Sequence, residues 1–313
     1  MSNALDRAQL ESRIAQTRVK YEPHEVAYEQ LKYRITMAVE HGFKSACVLC
    51  GDTGTGKSTL SERVLRDFPR IETPEKSIVP IIYYQLTSKP TIKGILQGVL
   101  KEFGLPIRKS DTEQDLIRIL KTQIAACKTH VIILDDAQHF VEEGRRIGSI
   151  RTTADDMKVL IDMGLLIIFS GTTNLLKIFS CNSQLRRRSS THVYLKPVAM
   201  TEHAVDILRP TVIALLEESK SGLSVDSLDE EFWVRFHFAT NGNIAYINML
   251  VAATAAEALK NKRTAITQRE FKAAFETHIF CGATPATNPF SKDFECRPLH
   301  YSGEPFEGME TAA

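Results

Sequence analysis

No stretch of this 313-residue sequence is apolar for long enough to cross a bilayer: the longest uncharged apolar runs, residues 78–84 and 163–169, fall far short of the roughly 18 residues that a span needs. Cysteine is sparse. The six present (Cys47, Cys50, Cys127, Cys181, Cys281, Cys296) are scattered, which excludes a disulfide framework, and no second CxxC or paired histidine completes a metal set. Cys47 and Cys50 stand three apart in an apolar run. If that run is a strand they point to opposite faces, so they read as two small core residues rather than a bridge. An excess of either charge is missing too, with 39 Lys plus Arg against 38 Asp plus Glu. A nucleic-acid partner would therefore be held by a local basic stripe and not by the global field. Residues 1–20 alternate acids, bases and glutamines without the apolar core of a secretory signal, and a cytoplasmic chain is expected. What is there, 43% hydrophobic and 25% charged residues, is the balance of an ordinary globular protein long enough for two domains.

The first two thirds alternate short apolar runs with helical patterns. Leu31, Ile35 and Val39 repeat at four-residue spacing in a leading helix that ends at Gly42. Residues 46–50 predict a strand, followed by a glycine-rich turn and a helix carrying Leu60, Val64, Leu65 and Phe68. Further strands are expected at 78–84, 131–134, 165–170 and 192–195, with Pro80 marking the second as irregular. Between them lie an amphipathic helix at 92–103 and another that opens at Asp111 and Gln114. Strands separated by helices mean parallel pairing and helices on both faces, an α/β fold. After Pro197 the strand signals vanish, and helices are expected at 201–208, 211–220, 229–239, 244–260 and 268–279, Pro210 separating the first two. Residues 282–313 hold four prolines, several glycines and no periodicity, and are expected to be a flexible tail.

Gly51-Asp52-Thr53-Gly54-Thr55-Gly56-Lys57-Ser58, with Thr59 next, matches G-x-x-x-x-G-K-[ST] between a strand and a helix. Glycines let successive backbone N–H groups curl toward the phosphates of ATP, and the helix N-terminus adds its dipole. Lys57 is expected at the β and γ phosphates and Ser58 on Mg²⁺. Asp135 and Asp136 close the run 131–134, where a parallel sheet presents its ligand-binding groups. Asp135 reads as the second Mg²⁺ residue and Asp136 as the carboxylate beside the attacking water. Thr172, Thr173 and Asn174, after Ser170-Gly171, offer polar groups that could sense the γ-phosphate. Arg186, Arg187 and Arg188 offer a guanidinium for a neighbouring subunit's γ-phosphate.

This order of motifs with a helical C-terminal lid resembles the AAA+ P-loop NTPases. More narrowly, Leu86-Thr87-Ser88-Lys89-Pro90-Thr91, Leu134-Asp135-Asp136-Ala137-Gln138-His139, Ser170-Gly171-Thr172-Thr173-Asn174 and Asn288-Pro289-Phe290 are similar to the TniB/TnsC transposition ATPases, motifs that secretion-type ATPases of the ExeA family partly share. The resemblance covers about residues 21–290. It implies an N-terminal extension at 1–20, an α/β nucleotide-binding domain at 21–196 with its parallel sheet sandwiched by helices, a small all-helical lid at 197–281, and the tail at 282–313. It further implies a homo-oligomeric ring, spiral or filament on double-stranded DNA. That assembly would mark the target and recruit or stimulate a transposase, often with a target-selecting protein partner. Lys89, Thr91, Lys93, Arg145, Arg146 and Arg151 are then the candidates for DNA backbone contact. Two departures from the AAA+ pattern carry expectations. Asp136 stands where glutamate is common, which implies slow turnover, and Ile244 and Ala245 stand where a lid arginine usually approaches the nucleotide. The alternatives are an AAA+ machine that remodels a protein, of secretion or helicase-loader type, and a monomeric phosphotransferase, which the arginine cluster disfavours. The tail, with Asn288-Pro289-Phe290 and Phe294, is expected to dock a partner, so that deleting 282–313 would spare ATP hydrolysis.

Overall fold

The computed structural model describes residues 2–108, 110–141, 157–181, 183–189, 191–225 and 228–309. The chain forms two compact units, one of residues Val26–Leu195 and one assembled from Met1–Glu25 and Lys196–Ala313. Two helices come first, α1 (Ser2–Gln16) and α2 (Glu22–His41), and the division falls within α2.

In the α/β unit, β1 (Ser45–Cys50) leads through the phosphate loop to α3 (Lys57–Asp67). A hairpin of β2 (Ile71–Glu72) and β3 (Ser77–Ile78) precedes β4 (Ile81–Gln85). The single strand expected at 78–84 is thus split at Pro80, whose missing N–H cannot serve a ladder. Then follow α4 (Ile92–Glu102), α5 (Glu113–Ala126), β5 (Val131–Asp135), β6 (Leu166–Gly171), α6 (Leu176–Cys181), α7 (Ser183–Arg188) and β7 (Thr191–Tyr194). The five main strands pair in the order β4-β5-β6-β1-β7, all parallel, as the strand–helix alternation requires. One face of the sheet buries Val48, Cys50, Ile132, Leu134 and Phe169 beneath α4 and α5; the other buries Cys47, Leu49, Ile133 and Ile168 with Leu31 and Ile35 of α2. Cys47 and Cys50 therefore lie in different core layers. The cap of α5 sits one residue later than expected: Thr112 accepts from the backbone N–H of Asp115, and Asp115 in return accepts from that of Thr112.

The second unit is helical: α8 (Ala204–Glu218), α9 (Glu230–Thr240), α10 (Ile244–Lys260) and α11 (Gln268–Ala274), with a minor strand pair of β8 (Ser224–Val225) and β9 (Ala265–Ile266). Its core is Trp233, Phe232, Phe236, Phe271 and Phe275 with the apolar face of α10. Pro210 does not separate two helices. It lies inside α8, where Leu208, Val212 and Leu215 on either side of it are fully buried along one stripe, and Thr211 donates its hydroxyl to the Ile207 carbonyl in the same turn. Packing of that stripe outweighs a proline penalty of about 3 kcal/mol. Thr267 and Glu270 form a capping box at the start of α11.

Two sequence expectations are overturned here. Residues 1–20 are not an appendage: α1 packs on α10, with Leu10 and Ile14 in the helical core. The tail is not flexible either. Phe290, Phe294, Leu299 and Phe306 are buried in that same core, and the Phe290 ring lies 5.5 Å from both Phe232 and Phe271. Asn288, fully buried, donates to the Lys272 carbonyl and the Glu276 carboxylate and accepts from the Phe290 N–H. Arg235 donates to the Pro289 and Ser291 carbonyls. The tail has no periodicity because it is a plug of isolated aromatic anchors, not a helix or a strand.

Candidate nucleotide site

The loop between β1 and α3 turns on glycines that only glycine accommodates easily. Gly54 and Gly56 have φ of 81° and 97°, in the left-handed region, and a Cβ on Gly51 would come within 2.2 Å of the Leu195 carbonyl oxygen. Thr55, buried, donates its hydroxyl to the Asp52 carbonyl and tightens the loop. Lys57 opens α3, and its ammonium donates to the Gly51 and Asp52 carbonyls at 2.8 Å each. Burial lowers its pKa, opposed by the negative charge of Asp135, Asp52 and Asp136.

Asp135, at the end of β5 and only 2% exposed, gathers four donors. Ser58 Oγ at 2.8 Å and Tyr83 Oη at 2.6 Å meet Oδ2, while Ser170 Oγ at 2.6 Å and the Asp136 N–H at 3.0 Å meet Oδ1. Burial pushes the carboxyl pKa up, but these hydrogen bonds outweigh it and the net shift is downward, so the group is held as an anion. Tyr83, pushed up by burial and by its bond to that anion, stays a donor. The next residue, Asp136, has φ of 56° and turns its carboxylate to two amides, Gln85 Nε2 at 2.8 Å and Gln138 Nε2 at 2.9 Å.

Thr172 leads from β6 into a turn formed by Thr173, Asn174 and Leu175. Arg186, Arg187 and Arg188 are exposed in the last turn of α7. Arg186 donates to the Ser180 carbonyl and Arg188 pairs with Asp162, whereas Arg187 makes no hydrogen bond or ion pair with a described residue. Of the DNA candidates, Lys89 is exposed ahead of α4, Lys93 is half-buried in the first turn of that helix, and Thr91 is its cap, accepting from Gly94 N–H. Arg145, Arg146 and Arg151 lie outside the described residues.

Sequence reading missed Tyr83, Gln85 and Gln138 as parts of the site. Tyr83 and Gln85 alternate along β4 and stand beside Ile133 and Asp135 in register, a relation that appears only once β4 and β5 are known to pair.

The sequence model of the family described as "Bacterial TniB protein" matches residues 11–196. The chain belongs to the TniB family. Every residue of the phosphate loop, the two aspartates, the β6 terminus and the three arginines lies within the TniB match. A curated relative, General secretion pathway protein A of Aeromonas hydrophila, is 34% identical over 121 residues; the match covers 36% of this TniB chain and only 20% of that relative's length. Among solved structures, the ORC2 protein of Aeropyrum pernix in ADPNP–ADP complexes has a TM-score of 0.60 at 13% identity, covering 87% of this chain and 73% of that one. Cdc6p of Pyrobaculum aerophilum also has a TM-score of 0.60, at 15% identity over 88% of this chain and 72% of that one. At these identities the likeness concerns the fold: this TniB chain has the fold of the AAA+ P-loop NTPases.

Proposed function

We propose that this chain is an ATP-hydrolysing regulator of transposition that assembles on duplex DNA, marks the target, and recruits or stimulates a transposase, with a target-selecting protein as a further partner. The observation that carries the reading is a TniB match spanning a phosphate loop whose Ser58 hydroxyl sits 2.8 Å from the Asp135 carboxylate. That pair of hard oxygens on one side of the loop suits Mg²⁺, which takes few protein ligands and leaves the rest of its shell to water and phosphate. Bound there, the ion would neutralise charge on the β and γ phosphates. Lys57 would turn from the loop carbonyls to the same phosphates, and Thr172, Thr173 and Asn174 would face the γ group. Asp136 would orient the attacking water; its short side chain favours slow turnover.

Duplex DNA would be held by backbone contacts from Lys89, Thr91 and Lys93, together with Arg145, Arg146 and Arg151. A solved structure of similar fold, the ORC1 protein of Aeropyrum pernix, is a complex with DNA; it has a TM-score of 0.56 at 15% identity over 83% of this chain and 67% of that one. Electron microscopy of the protein with duplex DNA and a non-hydrolysable ATP analogue should show rings, spirals or filaments on DNA that are lost in Lys57→Ala. Particles that bind nucleotide but ignore DNA would overturn the reading in favour of a protein-remodelling ATPase. The match to General secretion pathway protein A supports that second reading.

Within such an assembly we assign the trans-acting arginine to Arg187, since Arg186 and Arg188 are each engaged within their own subunit. Arg187→Ala should lower kcat by about a hundredfold or more. Mixing it with Lys57→Ala should restore part of the activity, because intact loops then meet intact arginines across the subunit boundary. Mixtures as inactive as their parts would remove the assignment.

A further inference from the structure

The carboxylate of Asp136 is fixed by two glutamines, and one of them touches a second part of the site. Gln138 Nε2 donates to Asp136 Oδ1 at 2.9 Å. On its other side, Gln138 abuts the last residue of β6: a Cβ on Gly171 would fall 2.7 Å from Gln138 Oε1 and 2.9 Å from its backbone nitrogen. Oε1 is buried and accepts no hydrogen bond from a described residue. The side chain is thus wedged between the carboxylate at the tip of β5 and the strand end that leads into Thr172, Thr173 and Asn174. Glycine at 171 is what permits the approach. Its φ is not in the left-handed region, so the requirement is space and not backbone conformation.

We propose that Gln138 is a positioning residue for hydrolysis, setting the Asp136 carboxylate and tying that setting to the position of the β6 terminus. The inference rests on the ATPase reading above. The geometry gives it two parts. Gln85 reaches Oδ2 of Asp136 from β4 alone, whereas Gln138 reaches Oδ1 while in contact with β6, so a displacement of the 171–174 segment on meeting the γ-phosphate is passed to Asp136 through a single side chain. Among the described residues no donor holds Oε1, so no hydrogen bond there opposes movement of the amide with β6. Gln138 itself forms no bond in the reaction. Water's oxygen bonds to the γ-phosphorus as the bond from that phosphorus to the β–γ bridging oxygen breaks, giving ADP, phosphate and a proton released to solvent.

The test compares wild type with Gln138→Leu, Gly171→Ala and the double variant. It measures kcat and KM for ATP, and nucleotide Kd by titration with a fluorescent ADP analogue. Gln138→Leu should lower kcat about tenfold or more with KM and Kd within about twofold, the pattern of an interaction that matters in the transition state only. Gly171→Ala should do the same by pushing Gln138 aside, and the double variant should be no worse than the poorer single one, since both break one contact. Should Gly171→Ala not fold, Gln138→Asn, which keeps the amide but shortens its reach, serves as the second single variant, with the same fall in kcat at unchanged KM and Kd expected and the double variant left out. Unchanged kcat in Gln138→Leu, a loss of affinity equal to the loss of rate, or losses that multiply in the double variant would each overturn the inference. A wild type that binds nucleotide without hydrolysing it would instead bring down the ATPase reading, and the inference with it.

Discussion

Asp135→Asn should abolish ATP hydrolysis, with a fall in kcat of about a hundredfold or more, while leaving nucleotide bound. The asparagine keeps the volume of the aspartate and one acceptor oxygen for Ser170 Oγ and the Asp136 N–H. It replaces the other with an amide nitrogen facing Ser58 and Tyr83, whose hydroxyls can turn to accept. What it removes is the negative charge. That charge sits on an oxygen next to Ser58, where a divalent cation would be held, and each 1.36 kcal/mol of lost transition-state stabilisation is a factor of ten in rate. Single-turnover hydrolysis beside a nucleotide-binding titration measures both halves. Turnover near the wild-type rate would mean that the cation is held elsewhere. The same variant has a pH signature. The pKa of Asp135 is depressed in the folded chain, so its contribution to stability is full above the unfolded carboxylate value of about 3.9 and is lost as pH falls through the folded value. The difference in Tm between wild type and Asp135→Asn should therefore be flat from pH 5 to neutrality and narrow only below about pH 4.

Phe290→Ala should destabilise the helical unit by about 3–5 kcal/mol, the range for removing a large aromatic ring from a closed core. The ring is 3% exposed and meets Phe232, Phe271 and Phe275. Deleting 282–313 removes Phe294, Leu299 and Phe306 as well, and with them the two carbonyls to which Arg235 donates and the buried amide of Asn288. The truncated chain should lose the cooperative melting of the helical unit and yield to limited proteolysis there. That outcome is opposite to the harmless truncation expected of a docking peptide. A truncated chain that melts like the full one would show that the plug contributes nothing.

The phosphate loop and the strand–helix alternation were legible because their chemistry is local: glycines at fixed spacing beside Lys57 and Ser58 serve few other purposes, and short apolar runs between amphipathic stretches admit few topologies. The parts that were misread depend on partners distant in sequence. Pro210 reads as a break until the buried stripe around it is seen, and Thr112 competes with Asp111 for the same cap. The aromatic residues of the tail look solvated until Phe232 and Phe271 are placed opposite them. Gln138 stands in a motif of the family resemblance, but its role was not legible there, since it lies in a contact with Gly171, at the end of β6.

The helical unit is assembled from residues 1–25 and 196–313, separated by the whole α/β unit. On the ribosome, α1 emerges before the α/β unit and must wait, with Leu10 and Ile14 exposed, until α10 has been synthesised more than two hundred residues later. The intervening α/β unit is contiguous and can fold as it appears, as domains generally do during translation. Fusions that hold α1 away from α10, or fragments that begin after it, will therefore leave the helical unit without part of its core.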